Sequence, residues 1–579
     1  MMSERINRKS AAFIASLLVL IGTLRIISTY RVFNHTIDEP DQLAAGMEWL
    51  SIHKYRYEDQ HPPLARVFGA IGPYLSGERF QAGPNAYMEG YRILGHGEHY
   101  DRILSLGRLG ILPFFWIGSA VVFLWAYRGG GSAAAIVSTL LFTTLPPILA
   151  HSGLITTDMA VTAFIGATLL ASIYWAENPS RVRTCALGVV FGLALLSKFT
   201  AAVFVPAAWV SMWVTYAVYS RKPVAVLKAE IAGRRKSILV IAAIAFFVIW
   251  AGYLFSFARV PYLHCRLPAP RFFAGLHSVW KYNEGGHPSY LLGQDSKTGF
   301  WYYYPVVLFI KTPLAMIGLV LWATWTAFRK RLSMDLLLAL MCSCGILLAA
   351  SLSSRINIGV RYVLAIYIGL AVAVGICASG HFGNSWKRLR AGSWILAGLI
   401  LSHVISGIWQ HPDYLAYTNL VAGNHPENWV ADSDLDWGQD MKRLGMRLQQ
   451  AGAAEVTFIP FNRTYALAGH PFPRMLNGNI DRPSPGWNAV SITIWKVFGE
   501  PHWANRFTAQ ERIGRSILLW YFEPDKKVIT IDPKVTGRRD SKTPMFLRDI
   551  AGDENKGLRP VLSTERSGDE VPSGRGAAP

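Results

Sequence analysis

The sequence predicts a mainly α, polytopic membrane protein with a small α/β domain near its C-terminal end. Of its 579 residues, 51% are hydrophobic and 16% are charged, whereas about a quarter of the residues in a soluble domain are charged. The hydrophobic residues lie in runs of roughly 18 to 25, the length that crosses a bilayer as a helix. Because lipid offers the backbone no hydrogen bonds, these runs must be helical.

We count about eleven predicted spans, each near bilayer length except the short one before Lys198. They lie near residues 11–30, 104–126, 132–150, 155–175, 185–198, 200–218, 237–257, 302–326, 334–352, 361–379 and 392–409. The first run is not followed by a small-residue cleavage site, so we interpret it as a retained helix and not as a signal peptide.

The basic residues predict the orientation of these helices. A net charge of +20 would favour nucleic-acid binding in a soluble protein, but here the basic residues cluster in short loops between the apolar runs, as topology signals do. An N-terminus in the cytoplasm places one series of basic loops on the inner side: Arg128, Arg181 and Arg183, Arg221–Lys236, Arg329–Arg331, and Lys387–Arg390. Arg355 and Arg361 are exceptions that fall on the outer side, where the C-terminus is also expected.

The predicted domains follow from this topology. Residues 1–409 form the membrane domain, with a long external loop at 31–101, and residues 410–552 form an external soluble domain. In that domain we expect a helix capped by Asp436 and ending near Ala451, and strands at 456–460, 489–495 and 517–522. The tail at 553–579 is charged and rich in Gly, Pro and Ser, so it is expected to be disordered.

The outer face gathers ionisable residues that suit a substrate with a phosphate head and a lipid tail. Ionisable groups at membrane depth are costly and usually face a cavity or a partner. Arg and Lys bind phosphate, and a carboxylate can take the proton from an acceptor hydroxyl. The candidates are Asp38, Glu39, Arg102, Arg108, Asp158, Lys198, Arg355 and Arg361.

Each of these candidates also has a structural interpretation. Asp38 and Glu39 can be a solvated acid pair in a loop, and Lys198 can mark the tip of a hairpin. The arginines at helix ends can extend their head groups to the membrane surface. Asp158 is harder to explain in this way, because an acid within a span is a functional candidate by default.

No metal site or cofactor is predicted. His96 and His99 have helix-face spacing but lack further ligands. The acidic run at 432–436 resembles a calcium loop, but Trp437 stands where that loop needs glycine and Arg443 where it needs glutamate. The five cysteines contain no CxxC pair, which favours neither a disulfide framework nor a zinc site.

The chain contains a series of short motifs: Asp38–Glu39, His61–Leu64, Thr157–Asp158, Gly192–Lys198, Gly285–Gly293, Asn357–Tyr362 and Asp432–Asp440. Together they resemble segments of bacterial membrane glycosyltransferases of the GT-C fold, in the protein O-mannosyltransferase and aminoarabinose transferase group (glycosyltransferase family 39 and its kin). The resemblance covers roughly residues 10 to 445, and the order of the motifs makes the set fairly specific.

This resemblance implies a GT-C fold and an inverting transfer of sugar from a polyprenyl-phosphate carrier, on the non-cytoplasmic face of a bacterial inner membrane. It implies that the acid of the first external loop is the base, and we favour Asp38 with Glu39 in support. It implies phosphate-binding roles for Arg108, Lys198 and Arg361. His61, Arg102, Asp158 and Arg355 complete the predicted substrate-binding set. The sugar stays open, as does the acceptor, which can be a lipid, a glycan or a protein.

Two other functions are compatible with many spans and buried charges. A transporter or flippase of a lipid-linked sugar would have broken helices at matching positions of two repeated halves, and no such halves are visible in the sequence. A non-catalytic envelope assembly protein would leave Asp38, Asp158 and Lys198 unexplained.

Overall fold

The computed structural model describes residues 7–221, 224–330, 333–382, 391–461 and 471–523. They belong to one compact unit that covers residues 1–526. The predicted disordered tail and the basic loop at Lys387–Arg390 lie outside the described residues. The helices are α1 (Arg8–Ser28), α2 (Glu39–Ile52), α3 (Pro63–Leu75), α4 (Ala86–Leu94), α5 (Gly97–Leu109), α6 (Leu112–Thr144), α7 (Pro146–His151), α8 (Asp158–Glu177), α9 (Arg181–Ser197), α10 (Ala201–Ser220), α11 (Val224–Gly233), α12 (Arg235–Gly252), α13 (Pro270–Gly285), α14 (Tyr303–Lys311), α15 (Leu314–Lys330), α16 (Met334–Ser353), α17 (Ile366–Phe382), α18 (Ala391–Trp409), α19 (Met441–Gln450) and α20 (Ile492–Val497).

The fold is mainly helical, as predicted, and the protein is an integral membrane protein. In the described part of the chain, seven helical stretches are long and apolar enough to cross a membrane, or eight if α14 and α15, bent by 115°, form one span. Two of the eleven predicted spans lie on either side of a break in α6 at Gly131, where φ is 73° and ψ is −161°. Two others correspond to α9 and α17, which have 17 residues each.

Helices α9 and α12 pack closely and run in the same direction. A methyl group at Gly188 would lie 2.8 Å from Ile244, and one at Gly192 would lie 2.8 Å from Val248. Small residues four positions apart allow two helix backbones to approach within a membrane. The C-terminal ends of α9 and α12 therefore lie at the same end of the helix bundle.

The two ends of α8 carry different charge clusters. At its C-terminal end, Glu177 accepts a hydrogen bond from Arg128 Nη1 at 2.8 Å, and Arg128 Nε also donates to Asp335 at 2.8 Å. Asp158 begins the same helix, which has 20 residues. At 1.5 Å per residue the two ends lie roughly 30 Å apart, about the thickness of the bilayer core. The predicted basic loop and the predicted outer acid thus lie on opposite sides of the membrane-spanning region.

The strands form two hairpins and one larger sheet. Strands β1 (Phe257–Val260) and β2 (Cys265–Pro268) pair antiparallel, as do β3 (Ser289–Leu291) and β4 (Gln294–Ser296). The larger sheet has the order β6-β5-β7-β9-β8, in which β5 is parallel to β6 and β7, and β9 is antiparallel to β7 and β8. Its strands are β5 (Glu455–Ile459), β6 (Arg474–Asn477), β7 (Gly486–Ser491), β8 (Glu511–Ile513) and β9 (Ile517–Phe522).

The C-terminal α/β region agrees with the prediction in its general form and corrects two details. Met441, Leu444 and Leu448 of α19 pack with residues of the sheet. However, α19 begins at Met441, and Asp436 does not cap it. Its carboxylate instead accepts a hydrogen bond from Thr493 N at 3.0 Å, in the first turn of α20. The strand predicted at 489–495 therefore ends at Ser491, because Asp436 satisfies one of the free N–H groups at the start of a helix.

Candidate functional site

A cluster of buried charges lies where α8 begins and α9 ends. Lys198 Nζ donates to Asp158 Oδ1 at 2.6 Å, and both side chains are buried. His151 Nδ1 lies 4.0 Å from Asp158 Oδ2, and neither of these two atoms has a hydrogen-bond partner among the described residues. Lys198 Nζ also lies 4.2 Å from the centroid of the Tyr362 ring. The cluster thus combines a buried ion pair with two facing polar atoms, His151 Nδ1 and Asp158 Oδ2, with which no described residue forms a hydrogen bond.

Arg361 connects this cluster to the start of α2. Its Nη1 donates to Asp38 Oδ2 at 3.0 Å, and its guanidinium lies 4.1 Å from the centroid of the Trp437 ring. The Arg361 side chain is 9% exposed, whereas the Asp38 side chain is 28% exposed. Among the described residues no acceptor meets the buried Arg361 Nε. A partly exposed carboxylate therefore lies beside a cationic donor that no described residue satisfies.

Glu39 has different surroundings from Asp38, although the two are adjacent in sequence. Its two carboxylate oxygens accept hydrogen bonds from Arg108 Nε and Nη2, both at 2.8 Å. They also accept from Thr36 N at 2.7 Å and from Ile155 N at 3.0 Å. Burial opposes ionisation, yet Arg108 and the two backbone N–H groups lower the pKa of Glu39. Both Glu39 oxygens are thus occupied by protein donors, whereas the Asp38 carboxylate is partly exposed.

A second buried network joins α2 to α3 and places His61. Arg66 is fully buried; it pairs with Asp41 Oδ2 at 3.0 Å and also with Glu58. Burial raises the pKa of Asp41 to about 7. Burial also opposes ionisation of Glu58, but Arg66 and His61 lower the pKa of Glu58 to about 2. His61 Nδ1 lies 3.5 Å from Glu58 Oε2, so this network holds His61 in place.

Residues 429–440, here called the acidic segment, attach to three other parts of the site. Trp437 O accepts a hydrogen bond from Ile37 N at 3.1 Å, next to Asp38. Asp434 Oδ1 accepts one from Val360 N at 3.0 Å, next to Arg361. Trp429 O accepts one from Leu292 N at 2.9 Å, just after β3. The acidic segment therefore fixes the relative positions of the two groups that form the Asp38–Arg361 pair.

The described structure does not bring every predicted residue into this cluster. Arg102 is exposed; it lies six residues before the buried Arg108 on α5, which puts it on a different face of that helix. Arg355 is also exposed, and its Nη1 donates to Glu284 O at 3.3 Å, at the end of α13. The substrate-binding roles of Arg102 and Arg355 stay predictions without a contact to the Asp38–Arg361 pair.

Sequence reasoning missed the roles of His151, Tyr362 and Trp437, which the fold places on the charged residues. The signal for Trp437 was present, because the segment that contains it is one of the motifs behind the family resemblance. Among the described residues there is no group of three or more His, Cys, Asp or Glu side chains arranged to hold a metal ion.

Residues 108–250 match the family model described as dolichyl-phosphate-mannose-protein mannosyltransferase. This match confirms the predicted resemblance for that stretch of the chain, which includes Arg108, Asp158 and Lys198. No curated protein matches the sequence.

Three solved structures with a similar arrangement are distant from this chain in sequence. ArnT from Cupriavidus metallidurans bound to undecaprenyl phosphate has 12% identity and a TM-score of 0.48, with 87% of this chain and 97% of that chain covered. The Archaeoglobus fulgidus oligosaccharyltransferase in the apo form has 13% identity and a TM-score of 0.43, with 88% and 73% covered. The S. cerevisiae protein O-mannosyltransferase complex bound to the sugar donor has 16% identity and a TM-score of 0.33, with 48% and 35% covered. Scores this low carry no residue correspondence.

Proposed function

We propose that the protein is a glycosyltransferase that moves a sugar from a polyprenyl-phosphate carrier to an acceptor hydroxyl. The observation that carries this proposal is the Asp38–Arg361 pair, in which a partly exposed carboxylate lies beside a cation with a free, buried donor. The family-model match over residues 108–250 supports the same class of reaction. The ArnT structure is described as bound to undecaprenyl phosphate, a carrier lipid of the proposed kind.

The proposed reaction assigns one step to each group. Asp38 takes the proton of the acceptor hydroxyl as its oxygen attacks the anomeric carbon. The bond from that carbon to the phosphate oxygen breaks, and the polyprenyl phosphate leaves with the electron pair. Attack from the face opposite the leaving group inverts the anomeric centre. Arg361 stabilises the negative charge of the departing phosphate, since a preorganised cation in a partly buried site acts strongly on developing charge.

The remaining residues position these two groups. The Asp158–Lys198 ion pair lies beside Tyr362, the residue after Arg361. The pair holds one negative and one positive charge in place next to the Asp38–Arg361 pair. Glu39 and Arg108 clamp the start of α2, where Asp38 precedes the first turn. His61 lies in the neighbouring α2–α3 network, from which it can donate to a substrate oxygen.

The proposal is tested by transfer of radiolabelled mannose or glucose from undecaprenyl phosphate to a membrane extract that supplies the acceptor. The purified protein is compared with Asp38→Asn, and with Asp295→Asn as a control at an exposed aspartate on β4. We expect Asp38→Asn to lower kcat about 10²- to 10⁴-fold, the usual contribution of a general base. Binding of undecaprenyl phosphate should be retained in both variants.

Two results would contradict the proposal. Equal transfer by wild type and Asp38→Asn would remove the catalytic assignment. Movement of the carrier lipid across a vesicle bilayer without any transfer would favour a flippase. The described part of the chain contains one bent helix pair, α14 with α15, and a transporter built from repeats would need a counterpart.

We also propose that the site faces away from the cytoplasm of a bacterial inner membrane, with the N-terminus inside and residues from 410 onward outside. Two exposed native cysteines lie at opposite ends of the bundle. Cys265 is on β2, beyond the C-terminal end of α12, and Cys185 is in the first turns of α9. In spheroplasts of a strain carrying Cys344→Ser, a membrane-impermeant maleimide should label Cys265 at once and Cys185 after permeabilisation. The reverse order would overturn the orientation.

A further inference from the structure

Three of the four aspartates in the acidic segment serve to attach it to its surroundings. They are buried, and neighbouring groups donate hydrogen bonds to them: Val360 N to Asp434 at 3.0 Å, Thr493 N to Asp436 at 3.0 Å, and Ser516 Oγ to Asp440 at 2.8 Å. These bonds give each of the three a structural role.

Asp432 differs from the other three. It is half-buried, and the hydrogen bond to its carboxylate comes from the next backbone N–H, Ser433 N, at 2.6 Å to Oδ1. Its φ angle is 55°, in the left-handed region that aspartate adopts more often than most other side-chain-bearing residues. Among the described residues, Asp432 is therefore the aspartate of this segment whose side chain stays partly accessible.

The neighbours of Asp432 place it at the Asp38–Arg361 pair. Ser433 packs against Gly359, where φ is 144° and a methyl group would lie 2.5 Å from Ser433 Oγ. Trp437 packs on Arg361, and Arg361 follows Gly359 by two residues in sequence. Burial raises the pKa of Asp432 to about 7; Arg361 opposes this shift, while the negative charges of Asp38 and Asp434 add to it. The electrostatic influence of both Asp38 and Arg361 agrees with the placement by packing.

The charges around Asp432 limit what it can bind. The Asp432 carboxylate would repel a phosphate in direct contact with it, whereas the Arg361 guanidinium would attract one. The phosphate therefore belongs on the Arg361 side, and a hydroxyl or amino group can donate a hydrogen bond to Asp432. The charges of Asp38 and Asp432 also reach Tyr282 of α13, and together with partial burial they raise the pKa of Tyr282 to about 12. Its phenol is neutral at pH 7 and can donate or accept a hydrogen bond. This set of groups fits a polyol better than an anion.

We propose that Asp432 is a specificity-determining residue that accepts hydrogen bonds from hydroxyl or amino groups of a sugar bound beside the Asp38–Arg361 pair. That sugar belongs either to the lipid-linked donor or to the acceptor. If the sugar belongs to the acceptor, this proposal rests on the proposed function, because it needs the transfer assay. If the sugar belongs to the donor, a binding measurement alone can test it.

The experiment compares wild type with Asp432→Asn, Asp432→Glu and the control Asp481→Asn, whose aspartate is exposed in the loop after β6. The first measurement is the ratio of Kd for undecaprenyl phosphate to Kd for undecaprenyl-phosphate mannose, by quenching of tryptophan fluorescence in nanodiscs. The second is KM and kcat for the acceptor in the transfer assay. A charge-assisted hydrogen bond contributes on the order of 10- to 100-fold in affinity.

We expect Asp432→Asn to change one of these quantities about 10- to 100-fold, with partial rescue by Asp432→Glu and no effect of Asp481→Asn. A smaller Kd ratio assigns the contact to the donor sugar, and a larger acceptor KM at similar kcat assigns it to the acceptor. The proposal is overturned if neither quantity changes, or if binding of undecaprenyl phosphate itself weakens equally. Absence of transfer by the wild type would refute the proposed function, while the Kd ratio would still decide on Asp432.

Discussion

Replacing Glu39 by glutamine removes one charge from a buried ion pair, and we expect a loss of about 3–5 kcal/mol in the free energy of unfolding. Arg108 is 1% exposed and donates two hydrogen bonds of 2.8 Å to Glu39. Glutamine keeps one acceptor oxygen, so Arg108 would stay buried with its charge uncompensated. The N–H groups of Thr36 and Ile155 would also compete for that single oxygen, and an unsatisfied buried donor costs about 1–3 kcal/mol.

In contrast to Glu39→Gln, Asp38→Asn should have little effect on the free energy of unfolding. Its carboxylate is partly exposed and makes one ion pair. Its buried partner Arg361 also lies in the field of Asp158, so we expect loss of the Asp38 charge to cost much less than loss of the Glu39 charge. Arg361 would keep its contact with the Trp437 ring after the change. Asp38→Asn should therefore abolish most transfer with little change in thermal unfolding, whereas Glu39→Gln should lower the unfolding temperature.

The assay is thermal unfolding in nanodiscs, followed by tryptophan fluorescence, together with the transfer rate below the unfolding temperature. Glu98→Gln, at an exposed glutamate in the first turn of α5, is the control. Adding Arg108→Met to Glu39→Gln should recover part of the lost stability, because the uncompensated charge is then gone. If Glu39→Gln unfolds at the wild-type temperature but loses transfer, Glu39 is a reacting group and the assignment of Asp38 as the base is wrong.

Three further predictions concern the neighbouring residues. Lys198→Met should lower the free energy of unfolding by about 3–5 kcal/mol, since it leaves buried Asp158 without its cation; adding Asp158→Asn should restore part of that loss, and thermal unfolding measures both. Gly359→Ala should cost about 1–3 kcal/mol through its φ of 144° and the contact with Ser433, whereas Gly398→Ala on α18, which meets open space, should unfold like the wild type. Protonation of Asp432, with a pKa of about 7, should raise the KM of the sugar that it binds as pH falls from 8 to 6, because the anion is the stronger acceptor; a KM profile that keeps its inflection in Asp432→Asn would contradict this. The charged and titratable groups that interact electrostatically with Asp432, and so bear on this pH dependence, are Asp38, Arg361, Asp434, Tyr282 and Tyr303.

Hydropathy alone predicted most of the helical architecture, because a bilayer leaves the backbone of an apolar run no alternative to a helix. The number of predicted spans exceeds the number of membrane-length helices in the described structure for two reasons, a helix that continues past a break and two helices slightly shorter than a span. The break at Gly131 and the 17-residue helices α9 and α17 are local features that a hydropathy run does not resolve.

The sequence by itself determined which residue types were present near the outer face, and its motifs indicated the family. The tertiary structure distinguished Asp38 from Glu39, since their difference lies in partners 69 to 323 residues away, Arg108 and Arg361. In the structure, Arg102 and Arg355 lie on exposed surfaces without a contact to the Asp38–Arg361 pair. Asp436, which was expected to cap α19, accepts a hydrogen bond from the first turn of α20. The local sequence pattern predicts whether a segment forms a helix or a strand. The burial and the hydrogen-bond partners of its polar side chains depend on residues distant in sequence, so only the tertiary structure reveals them.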